Sequence, residues 1–219
     1  MKKLISIILA LLLMLSLCAC GGGEPEPYFG HYEQVSMTYS GFAMPPDGEG
    51  YIDINSASKM VVFLEGDSYS GKLAVDGTNF VYTQGGNEYK GTIMNDCIVL
   101  NLDDLILTYM RDSALSAEAD ISSVEIPETV EGSQVYIATC GVIDSDSCDF
   151  ELFKNMGDFV VVLNPDGTGT IDFFDIFFDL SYDDMTIDAG GSMMFYTIEG
   201  DTLTLCVNET QVYICKLLQ

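Results

Sequence analysis

The chain repeats itself, and that repeat narrows the folds open to it. Offset by 105 residues, "FVYTQGGNEYKGTIMNDCIVLNLDDLILTYMR" (80–111) lies on "MTIDAGGSMMFYTIEGDTLTLCVNETQVYICK" (185–216) without a gap. Gly85-Gly86 meets Gly190-Gly191, Thr92-Ile93 meets Thr197-Ile198, Asp96 meets Asp201 and Leu100 meets Leu205. Apolar residues coincide at Ile98/Leu203, Leu102/Val207 and Leu107/Val212. Each match is weak alone; shared turns and shared alternation over 32 positions point to a duplication. The period inside each copy is two. In "DTLTLCV", Leu203, Leu205 and Val207 alternate with Thr202, Thr204 and Cys206, the pattern of a half-buried strand. Asn95-Asp96 and Glu199-Gly200-Asp201 carry turn chemistry between such strands. The expectation is an all-β chain of two tandem small antiparallel up-and-down barrels or half-barrels, over 28–112 and 134–219. A polar linker occupies 113–133. One short helix is expected within 147–158, where an acidic start precedes Phe150, Phe153 and Lys154, and Gly157 ends the run.

One stretch inside the second copy invites a metal reading. "NPDGTGTIDFFD" (164–175) places Asn164, Asp166, Thr168, Thr170, Asp172 and Asp175 at positions 1, 3, 5, 7, 9 and 12 of a calcium-loop spacing, with Gly169 at position 6. Such a loop needs a helix on each side to aim its ligands. Here the entry is Val160-Val161-Val162, β-branched and placed just after a glycine, and the exit alternates from Phe174 to Tyr182. Asp175 is also a carbon shorter than the glutamate that clamps the ion in such loops. Within the first copy, "LEGDSYSGKLAV" (64–75) reads as the counterpart, with Gly71 retained and Ala74 standing for Asp172. The stretch is therefore read as a hairpin turn, entered by 160–163 and left by 170–174. A weak cation site at Asn164, Asp166, Thr168 and Asp172 is the alternative.

The N-terminus bears on location. Lys2 and Lys3 precede an apolar run from Leu4 to Leu17, the layout of a secretory signal peptide. Leu17-Cys18-Ala19-Cys20 resembles a bacterial lipobox. That resemblance implies removal of residues 1–19, a lipid on Cys20 and a protein held on the extracellular face of the cell membrane by its acyl chains. Residues 20–27, "CGGGEPEP", then form a flexible tether stiffened by Pro25 and Pro27. Without Lys2 and Lys3 the chain has 6 basic and 34 acidic residues, 6 − 34 = −28. So negative a surface repels nucleic-acid phosphates, so a nucleic-acid partner is not expected. Five cysteines remain after processing: Cys97, Cys140, Cys148, Cys206 and Cys215. An odd number cannot all pair internally; Cys140–Cys148 and Cys140–Cys215 are the candidate bridges, while Cys206 and Cys215 stand out of step across their turn.

The order strand, short helix, "VVVLNPDGTGTI", strand, Gly-Gly, strand, "EGDTLTL", strand resembles the lipocalin-like domains of surface lipoproteins in Gram-positive anaerobes. It is closest over 158–216 and weaker over 59–111, and 28–58 lacks the helix. The resemblance implies small barrels of about eight strands. The first copy reads seven residues shorter between Leu73 and Phe80, which leaves a half-barrel as the alternative there. No catalytic residue comes with the family. His31 is the sole histidine, and no nucleophile elbow, phosphate loop or zinc motif is present. The reading is a non-catalytic binding module without a cofactor, whose partner is a small apolar ligand or another envelope protein. A spacer lipoprotein with filled cores is the second reading, and a hydrolase using two of the many carboxylates the third. Tyr28, Phe29, Tyr32, Tyr39, Phe173, Phe177 and Phe195 are the aromatic candidates for a cavity wall.

Overall fold

The computed structural model describes residues 26–218. Nine strands build the first half: β1 (Gly30–Tyr39), β2 (Phe42–Met44), β3 (Tyr51–Ser56), β4 (Lys59–Leu64), β5 (Asp67–Asp76), β6 (Asn79–Gln84), β7 (Asn87–Met94), β8 (Cys97–Leu102) and β9 (Leu105–Arg111). Eight of them run as an antiparallel meander, and β1 pairs with β9 to close a barrel. β2 is a short extra strand folded back on the end of β1. The second half repeats the plan with β10 (Gln134–Ile143), β11 (Asp146–Asp149), β12 (Phe159–Leu163), β13 (Thr168–Phe173), β14 (Phe177–Tyr182), β15 (Thr186–Ala189), β16 (Ser192–Glu199), β17 (Thr202–Asn208) and β18 (Gln211–Leu217). Pairing of β10 with β18 closes it. The protein is thus two closed eight-stranded antiparallel barrels in tandem, and closure leaves an unpaired edge only on the short extra strands β2 and β11.

Register shows how faithful the duplication is. Tyr32 faces Ile52 across β1 and β3, and Tyr136 faces Val161 across β10 and β12. Both tyrosines are fully buried. Each closing strand carries a bulge at the same place, between Gln34 and Ser36 in β1 and between Ala138 and Cys140 in β10. Such a bulge increases the local twist, which helps a sheet close on itself.

Three sequence expectations are corrected here. The first barrel closes as the barrel reading expects, but the stretch between Leu73 and Phe80, read as shorter, is longer. Lys72 pairs with Thr83 where Ser181 pairs with Asp188, so the β5–β6 hairpin carries four more residues than β14–β15 (ten between the paired positions against six). Secondly, the counterpart of the 164–168 turn is the β3–β4 turn at Ser56–Lys59, not 64–75. Gly71 lies inside β5 opposite Met60. Thirdly, Leu107 corresponds to Tyr213 rather than Val212. Leu100 pairs with Leu107, its equivalent Leu205 pairs with Tyr213, and a bulge between Cys206 and Asn208 supplies the extra residue.

Among the described residues there are two short helices, α1 (Asp112–Leu115) and α2 (Phe150–Met156). The Asp149 carboxylate caps α2 by accepting the Leu152 N–H, and Gly157 ends it at φ 118°. Each barrel has its own apolar interior. A third cluster joins the barrel walls, with Val35, Ala43, Cys97 and Met110 from the first and Cys140, Val142, Cys206, Val212 and Ile214 from the second. The segment expected as a linker is docked. Its Val124, with Ala119 and Ile121, covers Ile137, Val160 and Val162 on the outer wall of the second barrel. No helix among the described residues is long and apolar enough to cross a membrane.

Candidate functional site

The two barrels differ most at one end, the end carrying the β4–β5, β6–β7 and β8–β9 turns and their counterparts. In the second barrel α2 spans the connection from β11 to β12 and sets Phe153 against an aromatic stack. Phe159 and Tyr213 lie 4.4 Å apart, Phe159 and Phe173 5.1 Å, and Phe173 and Phe174 4.9 Å between ring centroids. Phe153 sits 5.7 Å from Tyr213. These rings fill the barrel end.

The first barrel has no such plug. Its β2–β3 connection, residues 45–50, is shorter than the β11–β12 connection and carries no helix, with Gly48 at φ 99°. By register Gly50, Leu64 and Leu107 replace Phe159, Phe173 and Tyr213. At Gly50 there is no side chain to reach the space, and a Cβ there would meet the Gln34 side chain, whose Oε1 lies at 2.0 Å. What remains is a recess of about 180 Å3 opening at the barrel end. Buried Val62, Tyr82 and Leu100 make its floor; Leu64, Tyr69, Gln84, Tyr89 and Leu102 form a half-exposed rim. One wall is aliphatic and the other carries three tyrosines and an amide. The Tyr82 hydroxyl donates to the Tyr69 carbonyl at 2.7 Å, and its ring lies 6.2 Å from that of Tyr89. Burial pushes the Tyr82 hydroxyl up to about 12, so it remains a neutral donor.

The opposite end of this barrel is sealed by the incoming chain. Tyr28 and Phe29 pack on the interior cluster. The Arg111 guanidinium donates to the carbonyls of Pro27 and Phe29, each at 2.6 Å, and to the Tyr32 hydroxyl at 2.7 Å. Its Nε stands 2.6 Å from Asp96. Asp96 in turn donates its backbone N–H to Ser147 Oγ of the second barrel, and Asn95 bonds Asp146. One arginine therefore fixes the chain entry, the barrel seam and the junction with the second barrel together.

The other sequence candidates are dispersed. Cys20 lies outside the described residues. The 164–168 stretch is a hairpin turn held by its own side chains. Asp166 accepts from the Thr168 N–H and hydroxyl at 3.0 and 2.6 Å, and Asn164 Oδ1 accepts from Ser133 at 2.7 Å. Asp172 is not with them: it pairs with Val160, three positions along β13 from the Leu163–Gly169 pair, about 10 Å away. Asn164, Asp166, Thr168 and Asp172 therefore do not form one cation site. Among the described residues no group of His, Cys, Asp and Glu is arranged to hold a metal ion.

Of the aromatic candidates, Tyr32 is core, Phe173 is part of the plug, and Tyr39 and Phe177 are exposed at 54% and 62%. Phe195 is half-buried on β16. None of them lines the recess. The residues that do, Tyr69, Tyr82 and Tyr89, sit at alternating inward positions that the strand period marks, but the missing plug could not be read from them. His31 is bound through Nδ1 to Asp53 at 2.7 Å and through Nε2 to Glu33 at 2.8 Å. Opposite ring nitrogens are used, so the three groups cannot converge on one ion. The five cysteines are unpaired and buried. Burial pushes Cys97 and Cys206 up to about 12 and Cys140 to about 11, which makes them packing thiols rather than nucleophiles.

A wider groove of about 620 Å3 runs between the barrels, lined by Asp96, Glu118, Asp120, Asp149 and Glu151 among others. Hydrogen bonds from Ser122 hold Asp120 below the usual carboxylate range, the reverse of what a general acid at neutral pH requires. Compared with known proteins, the chain matches no family model and no curated relative.

Proposed function

We propose that this chain is a lipid-anchored, lipocalin-like binding protein of the cell surface, in which the first barrel takes a small apolar ligand and the second is a filled support. The supporting observation is the contrast at equivalent ends: an aromatic plug in one barrel, an apolar recess in the other. A dry apolar cavity of about 150 Å3 is known to accept a single benzene-sized ring. At about 180 Å3 the recess suits one ring or a short alkyl group. Gln84 and Tyr89 at the rim can meet one polar atom of the ligand, as in pockets where few polar groups set orientation. No catalytic role follows from this arrangement.

Anchoring at Cys20 fits the geometry. The tether reaches the barrel at Pro27, held by Arg111, and the recess opens at the other end. The mouth would therefore face away from the membrane. Replacing Cys20 with Ala should release the protein from the membrane fraction; unchanged fractionation would refute the anchor.

The chain has no tryptophan, so indole is a suitable probe, visible by its own fluorescence. Saturable indole binding that Leu64→Phe abolishes is the expected result. Absence of saturable binding, or binding indifferent to Leu64→Phe, favours the alternative of a spacer lipoprotein, to which the filled second barrel lends weight.

A further inference from the structure

The strap formed by residues 119–125 crosses the outer wall of the second barrel and covers Ile137, Val160 and Val162. It also lines the groove between the barrels through Ala119 and Asp120. Lys154 of α2 holds its middle by bonding Ser123, and the Glu125 N–H donates to the Asp158 carboxylate at 2.8 Å. Beside this last contact lies Asp172, only 2% exposed, with its Oδ1 lacking a hydrogen-bond partner. Its neighbours across the sheet, Val160 and Phe177, are apolar. The charged groups that face it are all acids: Asp175 from the β13–β14 turn, Asp158 from the α2–β12 connection and Glu125 from the strap itself. Asp175 comes close to the α2–β12 connection: a Cβ built at Gly157 would lie 2.8 Å from its Oδ2. Lys154 is engaged with Ser123 and lies over the Phe150 ring.

We propose that Asp172 is a proton-sensitive latch for this strap: protonation at its buried carboxyl tightens the strap on the barrel wall, and ionisation loosens it. A buried carboxylate with an unpaired oxygen and three acidic neighbours disfavours its own charge. The strap contributes one of those neighbours, so lifting it removes Glu125 and lets water reach Asp172. Lifting thus relieves the ionised form and gains nothing for the protonated one. The consequence is access. At neutral pH the strap opens more often, exposing Val160, Val162 and one lip of the groove; in mild acid it stays shut.

Burial, with the nearby carboxylates, raises the pKa of Asp172, while the Asp175 backbone N–H partly opposes the shift. A raised acid binds its proton more tightly in the closed state. Strap stability is therefore greatest below the ordinary carboxylate value and falls as pH rises through the raised one.

Hydrogen exchange of the Val124 and Glu125 amides from pH 4 to 7.5, corrected for intrinsic rates, reads the latch directly. In the native protein, protection should fall several-fold across the Asp172 titration. In Asp172→Asn, which keeps an acceptor for the Asp175 N–H, it should be high and flat, while amides in β17 and β18 do not change. Should Asp172→Asn fail to fold, Glu125→Gln should give a smaller change in the same direction. A strap whose pH profile is the same in the native protein and the variants overturns the proposal. So does a strap that calcium closes at pH 7 and acid does not.

Discussion

The two barrels share strand order, closing bulge and buried tyrosine, yet one end is filled in the second and open in the first. The difference lies in a connection and three inward positions rather than in the scaffold. Where the chain can make α2, Phe153 is delivered onto Phe159, Phe173 and Tyr213. Where the shorter β2–β3 connection carries no helix, Gly50, Leu64 and Leu107 leave a recess. A closed barrel tolerates this, because its strand ladder is complete without the end plug.

The largest expected effect is loss of the plug. Phe153→Ala should destabilise the second barrel by about 3–5 kcal/mol, read as a fall in the denaturation midpoint. If the two barrels were filled alike at this end, truncating Leu64 in the first would cost as much; a visibly smaller loss is expected, since Leu64 is only half-buried.

Next comes the sealed end of the first barrel. Arg111→Gln removes charge-assisted bonds to Pro27, Phe29 and Tyr32 and should cost about 2 kcal/mol. Exchange protection should fall first at the Phe29 amide, which donates to Glu26 at 2.9 Å. The second barrel has no counterpart of this clasp at Leu217, which pairs with Tyr136 as Arg111 does with Tyr32, so its strands should be unaffected apart from β11, which meets Asp96 through Ser147.

Making the first barrel resemble the second is a milder change. Leu64→Phe, copying Phe173, should alter stability by about 1 kcal/mol or less if the ring enters the recess. A loss of several kcal/mol would mean the space is smaller than described.

The smallest effect concerns His31, which has no equivalent in the second barrel. Burial alone would lower its pKa, but the bonds to Asp53 and Glu33 outweigh it and raise the value above 6.5. The sign follows from linkage: this stabilisation is complete below about 6.5 and disappears as pH rises through the raised value. The ring is 40% exposed, so solvent screening limits the gain to under about 1 kcal/mol. His31→Gln should remove that part of the pH dependence, measured as the denaturation midpoint between pH 6 and 9.

Period-two alternation and the Gly-Gly turns made the strands and the duplication legible in the sequence. The β13–β14 hairpin was not. Phe174 and Asp175 occupy left-handed backbone, at φ 55° and 67°, where Asn-Gly would be the familiar signal. Phe174 joins the plug, and that packing offsets a local cost of about 1–2 kcal/mol. Seen without that packing, residues 174–182 read as one strand. The Val207 bulge escaped notice for a similar reason, since Leu107/Val212 and Leu107/Tyr213 are both apolar matches. The recess was illegible because it is made by an absence. Val62, Tyr82 and Leu100 look like ordinary core positions until the opposite barrel shows what would otherwise cover them.

Crystals pressurised with xenon test the contrast most directly, because xenon settles against apolar walls without needing a polar partner. The expected result is a xenon atom in the first barrel among Val62, Leu64, Leu100 and Leu102, and none at the plugged end of the second. An empty first barrel, or equal occupancy in both, would contradict the account.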